Sequence, residues 1–266
     1  MPITKVSGGD VHYECHGQGA PVVMVLPSSS GPVGPGPFAD TLAERFMVIR
    51  YDPLGSGRSS PAPSPRAVSM AARAREVIGV LDALAIKRAY LCCHSTGCGI
   101  GLAAAAGNPE RIGGLVLISP WTHADGHLTV IQNLRIAAVH ALGPREYERF
   151  NANLLFPPAY RRRHEAGFDR LAETAKQQDA ERFADRLIAI LAFDARPILP
   201  TIACPTLVVT DVDDQLMPVW FGRDMARDIP GAALIELADG GHMLPETHGR
   251  ELAARVADFL GRIEPA

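Results

Sequence analysis

The stretch YLCCHSTGCGIG, residues Tyr90–Gly101, decides how this chain is interpreted. It begins with a short apolar run typical of a buried strand and ends in small residues typical of a closely packed helix. Ser95 stands at the junction, and the five residues around it nearly match G-x-S-x-G, in which a catalytic serine sits on a tight strand-to-helix turn. Cys93 replaces the first glycine of that pattern. Whether Ser95 is a nucleophile therefore depends first on whether the turn tolerates Cys93.

Small side chains are needed on both sides of such a serine, because the turn is strained and brings the flanking residues together. Gly97 meets this demand two residues after the serine, and Cys93 is small enough to be accepted two residues before it. We therefore predict that Ser95 is a nucleophile. The alternative is that Ser95 only caps the helix that starts at Thr96, since serine is a good N-cap residue.

The chain on both sides of this turn alternates between strand and helix patterns. Strands are predicted at Val11–His16, Val22–Leu26, Phe46–Asp52, Ala89–Cys93, Gly114–Ser119, Pro205–Thr210 and Ala233–Leu237. Helices are predicted at Val68–Leu84, Thr96–Gly107, Val219–Asp228 and Arg250–Ile263. This alternation predicts an α/β fold with a mostly parallel central sheet flanked by helices.

The alternation is interrupted between residues 122 and 200, where only helical patterns occur. Phe183, Leu187 and Ile190 form an apolar stripe, and a shorter helix is expected at Glu165–Gln177. We predict a core made of residues 1–121 and 201–266, with residues 122–200 forming a helical lid over the sheet edge where ligands of α/β proteins bind. A second packing layer without a function is the alternative.

Composition limits the classes of partner. The 266 residues are 47% hydrophobic and carry a net charge of −3, which supplies no field for nucleic acid or an anionic membrane. No apolar run is long enough to predict a membrane span, and the stretch MPITKVSGGDVHYECHG lacks the apolar run typical of a signal peptide. Five cysteines, an odd number, indicate reduced thiols and a cytoplasmic location. A small-molecule substrate is expected, and the oligomeric state is open, a homodimer being one option.

A nucleophilic serine needs a base to take its proton and an acid to orient that base. TDVDDQLMP places Asp214 just after a late strand, and ADGGHMLPE places His242 after the last strand. We predict these two as the acid and the base. Asp211, Asp213 and Asp125 are alternatives for the acid. Histidines outside these motifs are expected at the surface or in the lid.

The order serine, acid, histidine and the loop YDPLGSGRSS (Tyr51–Ser60) resemble the α/β-hydrolase superfamily over nearly the whole chain. The stretch HSTGCGIGLAAAAGNPERIGGLVLIS resembles 3-oxoadipate enol-lactonases and aminoacrylate-type amidohydrolases. The resemblance implies an α/β-hydrolase fold and hydrolysis of a small ester or lactone through an acyl-enzyme on Ser95, with no cofactor. Amide, enamide or carbon–carbon bond cleavage is the alternative chemistry, and a hydrolase-fold ligand receptor is the rival class. For His94 it implies a structural role.

The resemblance also places an oxyanion hole, formed by the backbone N–H groups of Ser29 and Thr96. The chain departs from the family here, because Pro27 and two serines stand where a His-Gly pair is usual. Four residues are expected to contact the substrate: Ser28, Trp121, Tyr160 and Trp220. No metal site is predicted, because Cys92 and Cys93 would point to opposite faces of one strand.

Overall fold

The computed structural model describes residues 3–26, 36–62, 69–177 and 179–263. Eight strands in these ranges form one sheet in the order β1-β2-β4-β3-β5-β6-β7-β8. Their bounds are β1 Ile3–Val6, β2 Gly9–His16, β3 Pro21–Val25, β4 Met47–Tyr51, β5 Ala89–His94, β6 Ile112–Ile118, β7 Thr206–Asp211 and β8 Ala233–Leu237. Only the β1–β2 and β2–β4 pairs of this sheet are antiparallel. The predicted mostly parallel sheet is confirmed.

Helices cover both faces of the sheet. Those outside the segment between β6 and β7 are α1 Gly36–Ala43, α2 Met70–Ala83, α3 Thr96–Gly107, α9 Val219–Asp228, α10 Leu244–Thr247 and α11 Gly249–Leu260. Helices α1 and α11 pack together over one face, whereas α2, α3 and α9 belong to the apolar layer on the other. Cys92 and Cys93 lie in these opposite layers, as their neighbouring strand positions predicted.

The centre of the sheet positions Ser95. All six residues of β5 are buried between β3 and β6, which explains its unbroken apolar pattern. Helix α3 begins directly after it and is rich in glycine and alanine, so it packs close to the sheet. Ser95 is thereby held at the carboxyl end of a central parallel strand, the edge where α/β proteins place their ligand sites.

Residues 122–200, which lie between β6 and β7, are called the helical insert below. The insert contains α4 Gly126–Ala141, α5 Pro144–Leu155, α6 Pro158–Arg163, α7 Glu165–Glu173 and α8 Ala180–Leu191, and a 3-10 turn at Leu199–Thr201 lies across its end. Helix α7 ends four residues before the predicted Gln177. The two ends of the insert meet, since the Ala195 N–H donates to the Thr122 carbonyl at 2.7 Å and Trp121 packs edge-on against Phe193.

No helix in the described ranges is both long enough and apolar enough to cross a membrane.

Candidate active site

Ser95 occupies a strained turn between β5 and α3. Its backbone angles are φ 54° and ψ −121°, a region that costs a residue with a side chain about 1–3 kcal/mol. The Ser95 N–H donates to the Ile118 carbonyl at 2.9 Å, and the Ser95 carbonyl accepts from the Cys98 N–H at 2.8 Å. The hydroxyl makes no capping bond to α3 and instead lies 2.8 Å from Nε2 of His242. The side chain therefore does not act as a helix cap.

The space around the turn explains how Cys93 fits. A Cβ atom on Gly97 would lie 1.9 Å from the Val25 carbonyl oxygen, so no side chain is possible there. On the other flank, a Cβ atom on Gly101 would lie 2.4 Å from Sγ of Cys93. The sulfur thus occupies room that Gly101, six residues after Ser95, leaves open. The turn therefore accepts Cys93 in place of the usual glycine because Gly101 has no side chain.

We expect Gly101→Ala to destabilise the protein by about 1–3 kcal/mol, because the new methyl group overlaps the Cys93 sulfur in a packed interior. Urea denaturation measures the change. The double variant Cys93→Ala/Gly101→Ala removes the overlap and should recover most of the loss. Gly107→Ala, in the same helix with open space around it, is the control and should not lower stability. A Gly101→Ala protein as stable as the wild type would contradict this account of the turn.

His242 connects Ser95 to a buried carboxylate. Nδ1 of His242 lies 2.9 Å from Oδ2 of Asp214, and both residues are only 2% exposed. The other oxygen, Oδ1 of Asp214, accepts the N–H groups of Leu216 and Met217 at 2.9 and 2.8 Å. Such bonds to a buried carboxylate are strong because the local dielectric is low. Asp214 is thus fixed with one oxygen on its own loop and the other on the imidazole.

The alternative carboxylates make different contacts. Asp211 accepts the N–H groups of Asp213 and Gly240 at 2.8 and 3.1 Å, and burial raises the pKa of its carboxyl. Asp213 accepts the Asp239 N–H at 2.9 Å. These two side chains join the loop after β7 to the loop after β8. Asp125 caps α4 by accepting the Leu128 N–H. Of the four candidates, Asp214 is the one the structure brings to His242.

Two side chains, those of His94 and Ser119, donate hydrogen bonds to the backbone carbonyl oxygen of His242. Nε2 of His94 lies 2.8 Å from this oxygen and must carry the proton, since a carbonyl only accepts. Burial lowers the pKa of His94 to about 3, so its imidazole is neutral. The Ser119 hydroxyl donates to the same oxygen at 3.2 Å. The backbone of Ser119 is itself in the left-handed region, with φ 51°. Sequence reasoning missed Ser119, whose only signal is its place directly after β6.

Among the residues that the structure describes, those expected to form the oxyanion hole and to contact the substrate are not brought together. Ser28 and Ser29 lie outside the described residues. Thr96 is the first residue of α3, where backbone N–H groups have no partner within the helix. Trp121 is buried against Phe193, Tyr160 stacks on His164 in the insert, and Trp220 is 43% exposed beside His127. Within the described residues, the hydrogen bonds and ring contacts of these three aromatic residues involve neither Ser95 nor His242.

The loop Tyr51–Ser60 is built around Asp52. Oδ2 of Asp52 accepts the Arg58 N–H at 2.8 Å and lies 3.2 Å from Nδ1 of His12. His12 is therefore buried beneath this loop, and the expectation that histidines outside the motifs lie at the surface or in the lid is wrong for it. The alternation of β2 predicts that His12 faces away from the core residue Val11, but both residues are buried because the loop covers the second face of the strand here.

The cysteines around the turn are protonated thiols. Burial raises the pKa of Cys92 to about 12 and raises the pKa values of Cys93 and Cys98 as well. The Cys98 thiol donates to the Ile118 carbonyl at 3.2 Å. In the part of the chain that the structure describes, no three histidine, cysteine, aspartate or glutamate residues are grouped to hold a metal ion.

The chain is similar to known hydrolases in both sequence and structure. The family model described as the alpha/beta hydrolase fold matches residues 15–249. The putative carbamate hydrolase RutD of Azorhizobium caulinodans is 30% identical over 266 residues, covering 99% of this chain and 100% of that protein. The protein of the same name from Variovorax paradoxus is 32% identical, with 95% and 97% covered. The enol-lactonase structure from Burkholderia xenovorans LB400 superimposes with a TM-score of 0.87 at 26% identity, with 98% and 100% covered.

Proposed function

The chain belongs to the alpha/beta hydrolase fold family, and on that premise we propose that it is a serine hydrolase of small carbonyl compounds. The observation that carries the proposal is the buried hydrogen-bonded chain from Ser95 through His242 to Asp214. A serine hydroxyl at hydrogen-bond distance from a histidine that a carboxylate orients is the arrangement needed to make a weak nucleophile reactive.

In the first step, Ser95 attacks the carbonyl carbon of the substrate while Nε2 of His242 accepts the hydroxyl proton. The carbonyl π electrons move to oxygen and form a tetrahedral oxyanion. The Thr96 N–H, at the positive end of α3, is one proposed donor to that oxygen, and the Ser29 N–H is the other. Such donors stabilise the transition state, and removing one of them in other enzymes costs roughly 3–4 kcal/mol.

In the second step, the His242 imidazolium gives its proton to the leaving oxygen or nitrogen, and the bond to the carbonyl carbon breaks. Asp214 stabilises the imidazolium through its bond to Nδ1. Water then attacks the acyl-enzyme, with His242 again accepting a proton, and returning that proton to Ser95 releases the acid. The reaction is complete without a cofactor or a metal.

For the substrate we propose a small ester or lactone, in agreement with the similarity to an enol-lactonase over 98% of this chain and 100% of that one. A carbamate is the second candidate, because relatives with at least 30% identity are named putative carbamate hydrolases. The helical insert, residues 122–200, is proposed to act as a lid that sets this choice. Ser28, Trp121, Tyr160 and Trp220 are proposed to contact the substrate.

We expect a fluorophosphonate to form one adduct, on Ser95, as measured by intact mass and peptide mapping. Turnover of a panel of small esters, lactones, carbamates and amides then ranks the substrates by kcat/KM. A lactone or ester at the top supports the first candidate, and a carbamate at the top supports the second. Folded protein that is neither labelled nor active on any member of the panel would contradict the proposal and favour a ligand receptor.

A further inference from the structure

The first helix of the insert contacts the loop that carries Asp214. His127 lies in the first turn of α4, and its Nε2 is 2.9 Å from the backbone carbonyl oxygen of Gln215. Because a carbonyl only accepts, Nε2 of His127 is the donor. Gln215 directly follows Asp214, so this bond fixes the backbone next to the carboxylate that meets His242.

Trp220 supports His127 from α9. The indole N–H of Trp220 donates to Oδ2 of Asp125 at 3.1 Å, and Oδ1 of Asp125 caps α4. The rings of His127 and Trp220 meet edge-on with their centroids 5.6 Å apart. The beginning of the insert is therefore attached to both the loop after β7 and the helix that follows it.

A second part of the insert contacts the loop that carries His242. The His242 N–H donates to the Leu155 carbonyl, at the end of α5, at 3.0 Å. Gly241 has φ 65°, and a Cβ atom there would lie 2.8 Å from Cδ of Pro157. The backbone of the histidine loop can approach the α5–α6 junction this closely only because residue 241 is glycine.

We propose that His127 is a positioning residue, through which the insert sets the alignment of Asp214 with His242. The inference rests on the proposed function of Ser95, Asp214 and His242. Its physical basis is that the loops after β7 and β8 are both hydrogen-bonded to the insert close to their reactive residues. In the first loop the bonded group is the carbonyl of Gln215, next to Asp214, and in the second it is the N–H of His242 itself. Small errors in such alignment have large effects on rate, because proton transfer requires hydrogen-bond geometry in the transition state. Trp220 acts on the same alignment by holding His127 and Asp125.

The test compares three variants in the full chain, with p-nitrophenyl acetate as the probe. His127→Phe keeps a ring against Trp220 and removes the donor. His127→Gln places an N–H the same number of bonds from the backbone. We expect His127→Phe to lower kcat about tenfold with KM within about twofold, and His127→Gln to recover kcat to within about threefold. His140→Phe, in the last turn of the same helix, is the control and should match the wild type.

Unchanged kcat in His127→Phe overturns the inference, and so does a loss that His127→Gln fails to restore. Circular dichroism checks that each variant is folded. If His127→Phe does not fold, His127→Leu serves instead, because it removes the same donor with a smaller apolar side chain. Its kcat should fall about tenfold with KM within about twofold, and an unchanged kcat overturns the inference. Failure of the proposed function is distinct: Ser95→Ala would then still hydrolyse the probe, whatever the His127 variants do.

Discussion

Ser95→Ala is expected to abolish turnover, with a loss of kcat of about 10⁴-fold or more, because no other group replaces the attacking oxygen. Labelling by a fluorophosphonate should disappear at the same time. Stability should change little. The hydroxyl of Ser95 does not cap α3, and alanine meets the same backbone strain at φ 54° as serine does.

Ser69→Ala is the matched control for this prediction. Ser69 also precedes a helix, but its hydroxyl accepts the Ala72 N–H at 3.2 Å and caps α2. Its loss should lower the free energy of unfolding by about 1 kcal/mol and leave kcat unchanged. Steady-state hydrolysis and urea denaturation on both variants separate the two roles of serine. Hydrolysis by Ser95→Ala within about tenfold of the wild type would exclude Ser95 as the nucleophile.

Asp214→Asn is expected to lower kcat by about 10³–10⁴-fold. The oxygen of the asparagine amide should stay with the N–H groups of Leu216 and Met217, which need an acceptor. The amide NH₂ then faces Nδ1 of His242. Two donors cannot share a hydrogen bond, so the imidazole is forced to carry its proton on Nε2, where it cannot accept from Ser95.

Asp213→Asn is the isosteric control one residue away. Its oxygen can still accept the Asp239 N–H, so kcat should stay within about threefold of the wild type. Kinetics on both variants, with circular dichroism to verify folding, decide which carboxylate acts on His242. A larger loss in Asp213→Asn than in Asp214→Asn would show that the acid is one residue earlier than proposed.

The sequence determined the fold because strand and helix patterns are local. The predicted strand at Ala89–Cys93 is observed at Ala89–His94, and the predicted helix at Thr96–Gly107 has the same bounds in the structure. The turn between them follows from its small residues. Helix ends are less well determined by the sequence. Helix α7 ends at Glu173 and not at the predicted Gln177, and the prediction missed this end because nothing in the local pattern marks it.

Only the tertiary structure decided how distant residues meet. Ser95 and His242 are 147 positions apart, and His127 and Gln215 are 88 apart. Asp211, Asp213 and Asp214 are alike in sequence, and each accepts backbone N–H groups. Which of them reaches the imidazole depends on the path of two loops after neighbouring strands. The fit of Cys93 is of the same kind, because it depends on the absence of a side chain at Gly101, across the packed interface between a strand and a helix. Local periodicity in the sequence predicts strands and helices. Contacts between residues far apart in sequence depend instead on packing to within a few ångströms, which no local pattern predicts.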